Sequence, residues 1–336
     1  MYIVLAILAF GVLIIVHEFG HFALAKLNGV KVDEFSIGMG PKILSRQGKE
    51  TKYSLGIFPI GGYVKMMGEE EDVEDERSFS AKSPLRRISI IIAGAIMNYI
   101  LAIIIFTCTL HNFGYALPVA AGIEPGTPAY EAGLQNGDEI LKIDKSKVFS
   151  TIDVTSEVLL SKGNSMDFSI KRDGEIKSVT VTPQKNAEGN LKIGLGFETE
   201  KNHTWGSSVK QSFRQTTSLV SVTFKGLKTI FTGKANLKTD VGGPLTIVKM
   251  SAATAKSSIW DLVNFVGYIS VNLAVFNMLP FPALDGGWTV ILLIELITRR
   301  KVPDKIVGTL NYLGFIVLIG LMILVTIKDI IFPFKF

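Results

Sequence analysis

Cysteine is almost absent from this 336-residue chain, which has one, and histidine is nearly as scarce, with four. Cys108 lies in an apolar run without a partner, so no disulfide framework exists and the redox compartment leaves no trace. Charge is thin too. Asp, Glu, Lys and Arg make up 19% of the residues, against about 25% in ordinary soluble domains, while 48% are hydrophobic and the mean hydropathy is +0.37. That balance excludes a disordered chain, collagen and a standard soluble enzyme. Internal repeats and low-complexity tracts are lacking as well. The net charge of +5 comes from scattered lysines with no basic stretch interleaved with stacking aromatics. No nucleic acid is therefore expected as a partner, and the excess reads as juxtamembrane charge beside membrane lipid.

What is present in quantity is apolar length. A bilayer core about 30 Å thick needs roughly 20 apolar residues per helix, and four segments pass: Tyr2 to Ala25, Ile88 to Leu110, Ile259 to Leu279, and Ile306 to Ile327. The first has no basic n-region and carries His17, Glu18 and His21 in its apolar run, so it reads as a retained anchor rather than a signal peptide. Arg86 and Arg87 abut the second span, Lys26 and Lys31 follow the first, and Arg299, Arg300, Lys301 and Lys305 fill the third connection. The positive-inside rule then places these connections in the cytoplasm, with both termini and the stretch from His111 to Ser258 outside.

Between the spans the chain divides by texture. From Glu34 to Met66, short alternating runs broken by glycine and proline predict strands lying against the membrane, followed by an acidic loop from Glu69 to Glu76. Outside, Thr127-Pro128 predicts the start of a short helix ending at Gly133, and Ile140 to Ile143 a strand. A helix follows from about Ile152 to Leu160, then a hairpin around Asp173-Gly174. From Trp205 to Phe231, apolar residues recur at helical spacing with Lys210, Arg214, Lys225 and Lys228 between them. This fits a basic amphipathic helix on the membrane surface or one packed against the outward domain. The expected organisation is span one at 1–27, a membrane-associated β segment and acidic loop at 28–87, and span two at 88–110. An outward domain at 115–200, an amphipathic connector at 201–258, span three with its broken end at 259–287 and span four at 306–332 complete it.

The chemistry sits in the first and third spans. His17-Glu18-Phe19-Gly20-His21 is an H-E-x-x-H sequence, and at 100° per residue its histidines lie 40° apart and about 6 Å along the axis, within reach of one metal ion. Glu18 stands at the edge of the same face, where it can accept a proton from a metal-bound water. Such groups in a span cost several kcal/mol unless they face a polar cavity or bind something. Residue 17 lies about 24 Å from the outward end, toward the cytoplasmic side. Zinc in a hydrolase usually has three protein ligands, and no further Cys or His in a span offers itself. The third span ends in Asn277-Met-Leu-Pro-Phe-Pro-Ala-Leu-Asp285-Gly-Gly287, where two prolines break the helix. Broken backbone at membrane depth is tolerated where it lines a cavity. Asp285 in that break is a candidate ligand or an interfacial helix cap.

These residues resemble the site-2 protease family of intramembrane zinc metalloproteases, in its bacterial RseP-like group. The likeness covers nearly the whole chain: the H-E-x-x-H, Gly61-Gly62-Tyr63-Val64, Met67-Gly68-Glu69-Glu70, Gly243-Pro244, and Asn277 through Gly287 read as N-x-x-P-x-P-x-L-D-G-G. The family pattern implies Zn2+ held by His17, His21 and Asp285, with Glu18 as catalytic base and Asn277 on the substrate backbone. The stretch from about Tyr115 to Phe197 is similar to a PDZ domain of bacterial proteases through Pro125 to Ala129, Ala132 to Leu134 and Gly137 to Ile140, and it occurs once. The fold implied is an α-helical membrane core of four transmembrane helices, with a membrane-associated β segment and one inserted PDZ-like α+β domain. The resemblance implies a bacterial inner-membrane protease that cuts transmembrane segments, such as those of anti-sigma factors or signal-peptide remnants, after an earlier cut outside. An unwound substrate needs backbone partners, and the strand segment Tyr53, Ser54, Leu55, Gly56, Ile57 is expected to supply them by strand addition. A metal-ion transporter would have no use for the H-E adjacency or a PDZ-like domain, and an idle scaffold could dispense with Glu18.

Overall fold

The computed structural model describes residues 2–69, 73–186, 189–201, 203–236 and 241–333. Glu70, Glu71 and Asp72 of the acidic run, and with Glu70 the last position of the Met67–Glu70 motif, lie outside the described residues. The chain forms two compact units, Met1–Ala102 with Thr229–Phe336, and Ile103–Lys228.

The first unit opens with α1 (Tyr2–Leu27), an apolar run free of proline. Gly29, at φ +68°, ends it by turning the chain so that the Val30 N–H reaches the Ala25 carbonyl. Next come β1 (Val32–Gln47) and β2 (Lys52–Met66), an antiparallel pair with an unusual register. Ser36 is opposite both Tyr63 and Ser54, and Ser54 is also opposite Ser45, so the pair is doubled into four rows: 42–47, 52–56, 34–37 and 62–66. The doubling requires tight backbone at Gly38, where φ is +78° and a Cβ would meet the Phe58 carbonyl oxygen at 2.5 Å. Then α2 (Pro84–Phe113) starts on a proline, which suits the first helical turn. It crosses α1 so closely that a Cβ at Gly20 would stand 2.4 Å from the Ala93 carbonyl oxygen.

The second unit holds a sheet in the order β10 (Gly196–Glu200), β3 (Tyr115–Ala121), β4 (Glu139–Ile143), β6 (Met166–Arg172), β7 (Glu175–Val181), with β5 (Ser146–Lys147) on β4 and a small β8 (Gln184–Lys185), β9 (Leu191–Lys192) pair beside it. Helices α3 (Pro128–Glu131) and α4 (Thr151–Leu160) sit between strands as expected. Thr127 caps the first, and a Ser150/Asp153 capping box opens the second. Asp173 and Gly174 both have positive φ, as a two-residue hairpin turn demands. Leu134, Ile140, Ile143, Val154, Phe168 and Ile170 anchor the core.

After that sheet, α5 (Trp205–Phe231) turns its small polar residues inward. Ser208, Gln211, Ser212, Gln215, Thr216 and Ser218 are buried, with Ser218 Oγ donating to Asp153 and Ser212 Oγ bonded to Thr107 of α2. Trp205, Val209, Phe213, Phe224 and Phe231 are exposed.

Back in the first unit, α6 (Pro244–Ser257), α7 (Ile259–Asn277), α8 (Asp285–Thr298) and α9 (Asp304–Ile331) follow. Helices α1, α2, α7 and α9 are long and apolar enough to cross a membrane, as the four expected spans require. The connection expected between the third and fourth spans instead contains α8, whose 14 residues reach about 21 Å and fall short of a full span. Its C-terminal end is tied to the start of α2 by a buried ion pair between Arg87 and Glu295, and Glu295 also accepts from the Val302 N–H. At the far end of α9, Asp329 accepts from the N–H groups of Gly243 and Thr246 and so caps α6.

In the second unit, Asp138 is buried, and Arg172 holds it with two hydrogen bonds of 2.7 Å. Burial pushes the Asp138 carboxyl up, but the Arg172 fork, the Gln135 N–H and nearby positive charge outweigh it, so the group titrates below the usual carboxylate range. A folded value below the unfolded one gives stability that is full above the unfolded pKa and lost as pH falls through the folded one. Arg172→Ala is therefore expected to destabilise this unit by about 3 kcal/mol, read as a lower thermal midpoint at neutral pH, with the difference from the parent shrinking in acid as Asp138 protonates. Equal midpoints at neutral pH would show the pair to be structurally idle.

Candidate metal centre

Helix α1 delivers His17 and His21 to one side, one turn apart, as their spacing predicts. Their imidazoles meet edge to face, with Nε2 of His21 3.2 Å from Nε2 of His17. Helix α2 backs them. Nδ1 of His21 donates to the Ile90 carbonyl at 2.9 Å, which fixes that ring's proton and leaves the Nε2 lone pair free. One turn further along α2, a Cβ at Gly94 would stand 2.5 Å from His21 Nε2 and 2.6 Å from His17 Cε1. Any side chain there would fill the space the two rings occupy.

The third group comes from the broken helix. After α7 ends at Asn277, the chain turns through Met278–Leu284 and restarts as α8 with Asp285 as its first residue. Both glycines after Asp285 allow backbone contact: a Cβ at Gly286 would lie 2.2 Å from the Leu279 carbonyl oxygen, and one at Gly287 2.3 Å from that of Phe281. The left-handed residue in this turn is Ala283, at φ +71°, held by a bond from its N–H to Asn311 Oδ1 of α9. Asp285 Oδ2 thus arrives 3.3 Å from His17 Nε2 and 3.6 Å from His21 Nε2. It is buried and has no hydrogen-bond partner among the described residues.

Two imidazole nitrogens and a carboxylate oxygen lie within 4.8 Å of one another. Tetrahedral zinc with ligand bonds near 2.1 Å has ligand-to-ligand edges of about 3.4 Å, and the separations here are 3.2, 3.3 and 3.6 Å. An orphaned buried carboxylate oxygen facing two imidazole nitrogens is the donor set such an ion needs, with three protein ligands and one position open. The residues fit the metal.

A cleft of about 230 Å³ opens beside this cluster, lined by Ile14, His17, Glu18, Met39, Gly61, Gly62, Leu273 and Asn277. Glu18 and Asn277, expected at the reaction centre, therefore share one cavity with His17. Asn277 Nδ2 is 3.4 Å from His17 Nε2. Gly62 approaches so closely that a Cβ would touch Glu18 Cγ at 3.0 Å.

The expectation that Tyr53, Ser54, Leu55, Gly56 and Ile57 pair with substrate is corrected for the first three. Tyr53, Ser54 and Leu55 have backbone neighbours on both sides, from the rows 34–37 and 42–47, so their edge is not open to another strand, and none of the five lines the cleft. The row 62–66, paired among the described residues with the start of β1, reaches the cleft through Gly62, with Gly61 preceding it. Two contributors went unassigned in the sequence, Gly94 and Asn98 of α2. Their signal was a glycine and a lone amide four residues apart in an otherwise apolar span.

Comparison with known proteins identifies the family. The sequence model for Peptidase family M50 matches residues 5–321. A protein of Clostridium perfringens, provisionally named a zinc metalloprotease, is 50% identical over 333 residues, covering 99% of both chains. One from Clostridium acetobutylicum with the same provisional name is 46% identical, covering 99% of this chain and 98% of its own. Another from Campylobacter jejuni is 32% identical, covering 96% and 92%. With a family match across nearly its whole length and four apolar helices, this multi-pass membrane chain belongs to peptidase family M50 and is a zinc metalloprotease of the site-2 protease type.

Proposed function

We propose that this enzyme hydrolyses peptide bonds inside the transmembrane segments of other membrane proteins, at a centre formed by His17, His21 and Asp285 with Glu18 as general base. The observation that carries the reading is the single cavity in which Glu18 and Asn277 stand beside three converging metal-type donors. Zinc held there supplies a Lewis acid that polarises a carbonyl and makes water a competent nucleophile near neutral pH. Glu18 takes the proton of the attacking water and returns it to the leaving amine. Asn277 offers one donor and one acceptor to the peptide backbone on either side of the scissile bond.

A helical substrate keeps its carbonyls internally bonded, so it must unwind before attack. The row 62–66 supports a strand-addition site for the unwound stretch, adjacent to Glu18 and made accessible by Gly61 and Gly62. Backbone pairing of this kind grips without strict sequence preference. It suits substrates such as membrane-bound anti-sigma factors or signal-peptide remnants.

The β3–β10 domain is read as a PDZ-like selector that acts after an earlier extracytoplasmic cut. A groove of about 300 Å³ between α4 and the segment 191–197 supports peptide binding there. The exposed aromatic side of α5, flanked by Lys210 and Arg214, suits a membrane surface. Orientation is inferred from charge. Arg86 and Arg87 at the start of α2 and the cluster Arg299 to Lys305 after α8 are drawn to one end by the Arg87–Glu295 pair, which the positive-inside rule assigns to the cytoplasm. The protein is placed in the bacterial inner membrane with its termini and PDZ-like domain outside.

Purified enzyme is expected to hold close to one zinc per chain. His21→Ala and Asp285→Ala should lower that occupancy strongly, while Glu18→Gln keeps the metal and loses at least about 100-fold in cleavage of a transmembrane substrate. Unchanged zinc in both ligand variants would remove the assignment. Asn277→Ala should keep zinc yet cleave about 100-fold more slowly, because a misplaced peptide loses that much when geometry slips; a normal rate would move substrate holding elsewhere. For orientation, a cysteine at Ser165 in a Cys108→Ser background should react with an impermeant thiol reagent on cells with a permeable outer envelope, and one at Ser80 should not. The reverse labelling would put the PDZ-like domain in the cytoplasm.

A further inference from the structure

Asn98 is fully buried in α2, one turn beyond Gly94, and the mechanism gives it nothing to do. Its backbone is fixed by Ser270 of α7, whose hydroxyl donates to the Asn98 carbonyl at 2.7 Å. Its side-chain Nδ2 lies 3.3 Å from His17 Nδ1, and its Oδ1 has no hydrogen-bond partner among the described residues. A buried carboxamide with an unsatisfied oxygen costs about 1–3 kcal/mol, so this arrangement has a reason or an alternative.

The hydrogen bonds around His17 supply one. His21 carries its proton on Nδ1, bonded to Ile90, so His21 Nε2 can only accept. As the carboxamide stands, Asn98 Nδ2 can donate only to a bare His17 Nδ1, which belongs to the tautomer with its proton on Nε2. In this pattern His17 has no lone pair facing Asp285 and cannot ligate. Ligation through Nε2 requires the other neutral tautomer, with the same single ring proton on Nδ1. An N–H at Nδ1 would then oppose the N–H of Asn98 Nδ2. Turning the carboxamide over exchanges two groups of nearly equal size and sets Oδ1, the atom without a partner, opposite the new proton.

We infer that Asn98 is a positioning residue for the metal centre, whose amide oxygen accepts the Nδ1 proton of His17 and so selects the tautomer that presents Nε2 to zinc. This rests on the assignment of His17 as a ligand. The expected effect of losing Asn98 lies at the lower end of the 10- to 100-fold range typical for partners of ligating histidines.

The test is zinc retention by the full-length protein during titration with a chelator, with no activity readout needed. Asn98→Leu, similar in shape but unable to accept, should hold zinc about 10-fold more weakly. Asn98→Asp, which can only accept, should hold it at least as tightly as the parent. Thermal unfolding of the metal-free proteins shows whether each variant is folded; should Asn98→Leu not fold, Asn98→Ala against Asn98→Asp carries the same expectation. Leucine binding zinc like the parent would overturn the proposal. So would aspartate binding as weakly as leucine, since the amide would then serve packing alone. Parent protein and His21→Ala are run alongside. If the parent holds no zinc, or His21→Ala holds it normally, the metal-site reading falls and this proposal with it. If both behave as expected and only the Asn98 comparison fails, the metal site stands.

Discussion

Two imidazoles and a carboxylate meeting among apolar helices are tolerable only if each lone pair and proton has a partner. The first unit is arranged around that requirement. Gly20 lets α1 lie against the α2 backbone, which brings the Ile90 carbonyl to His21 and leaves the space over Gly94 for both rings. Gly286 and Gly287 press the start of α8 onto the carbonyls of the preceding turn, and the left-handed Ala283 aims the chain so that Asp285 arrives opposite the histidines. A methyl group at any of the four glycines would push a helix outward by more than the few tenths of an ångström that ligand geometry allows.

The same accounting of buried charge recurs at the ends of the bundle. Arg87 and Glu295 are both almost fully buried and would be expensive as isolated ions, but Glu295 also receives the Val302 N–H. Asp329 is satisfied by two backbone N–H groups and Lys328. Such pairs add little net stability and fix geometry instead. Helix α8 illustrates what this achieves: Asp285 at its first turn faces the histidines, while Glu295, about 15 Å along the axis, is locked to α2. A short helix held at both ends cannot slide along its axis, and the carboxylate it carries stays in register with α1.

What could be read from the sequence was what is local. The H-E-x-x-H spacing, the Thr127 cap and the Asp173-Gly174 turn each depend on a few adjacent residues, and the structure realises them where expected. The four long apolar runs were legible for the same reason. Helix α8 was hidden because Trp288 to Thr298 is too short to register as a span and sits among turn residues. The doubled hairpin depends on which rows meet, which alternation cannot specify, so the edge assigned to Tyr53–Ile57 turned out to be enclosed at Tyr53, Ser54 and Leu55. Helix α5 showed its apolar stripe in the sequence, but which stripe faces inward was set by the hydroxyls that reach Thr107 and Asp153.

The doubled hairpin also resolves a conflict that any strand-adding protease in a membrane has to face. An open sheet edge is a template for unwanted pairing, yet the proposed substrate needs one. Folding four rows into a single small sheet encloses 52–56 and 34–37 and leaves two outer edges. The row 42–47 bears Lys42 and Arg46, and charged residues of this kind discourage a second strand. The row 62–66 begins beside Gly61 and Gly62, which line the cavity together with Glu18 and Met39. Both outer rows carry a lysine, Lys42 and Lys65, and they differ in that 62–66 reaches the cavity, through Gly62. Under the proposed strand addition, pairing would fall beside Glu18.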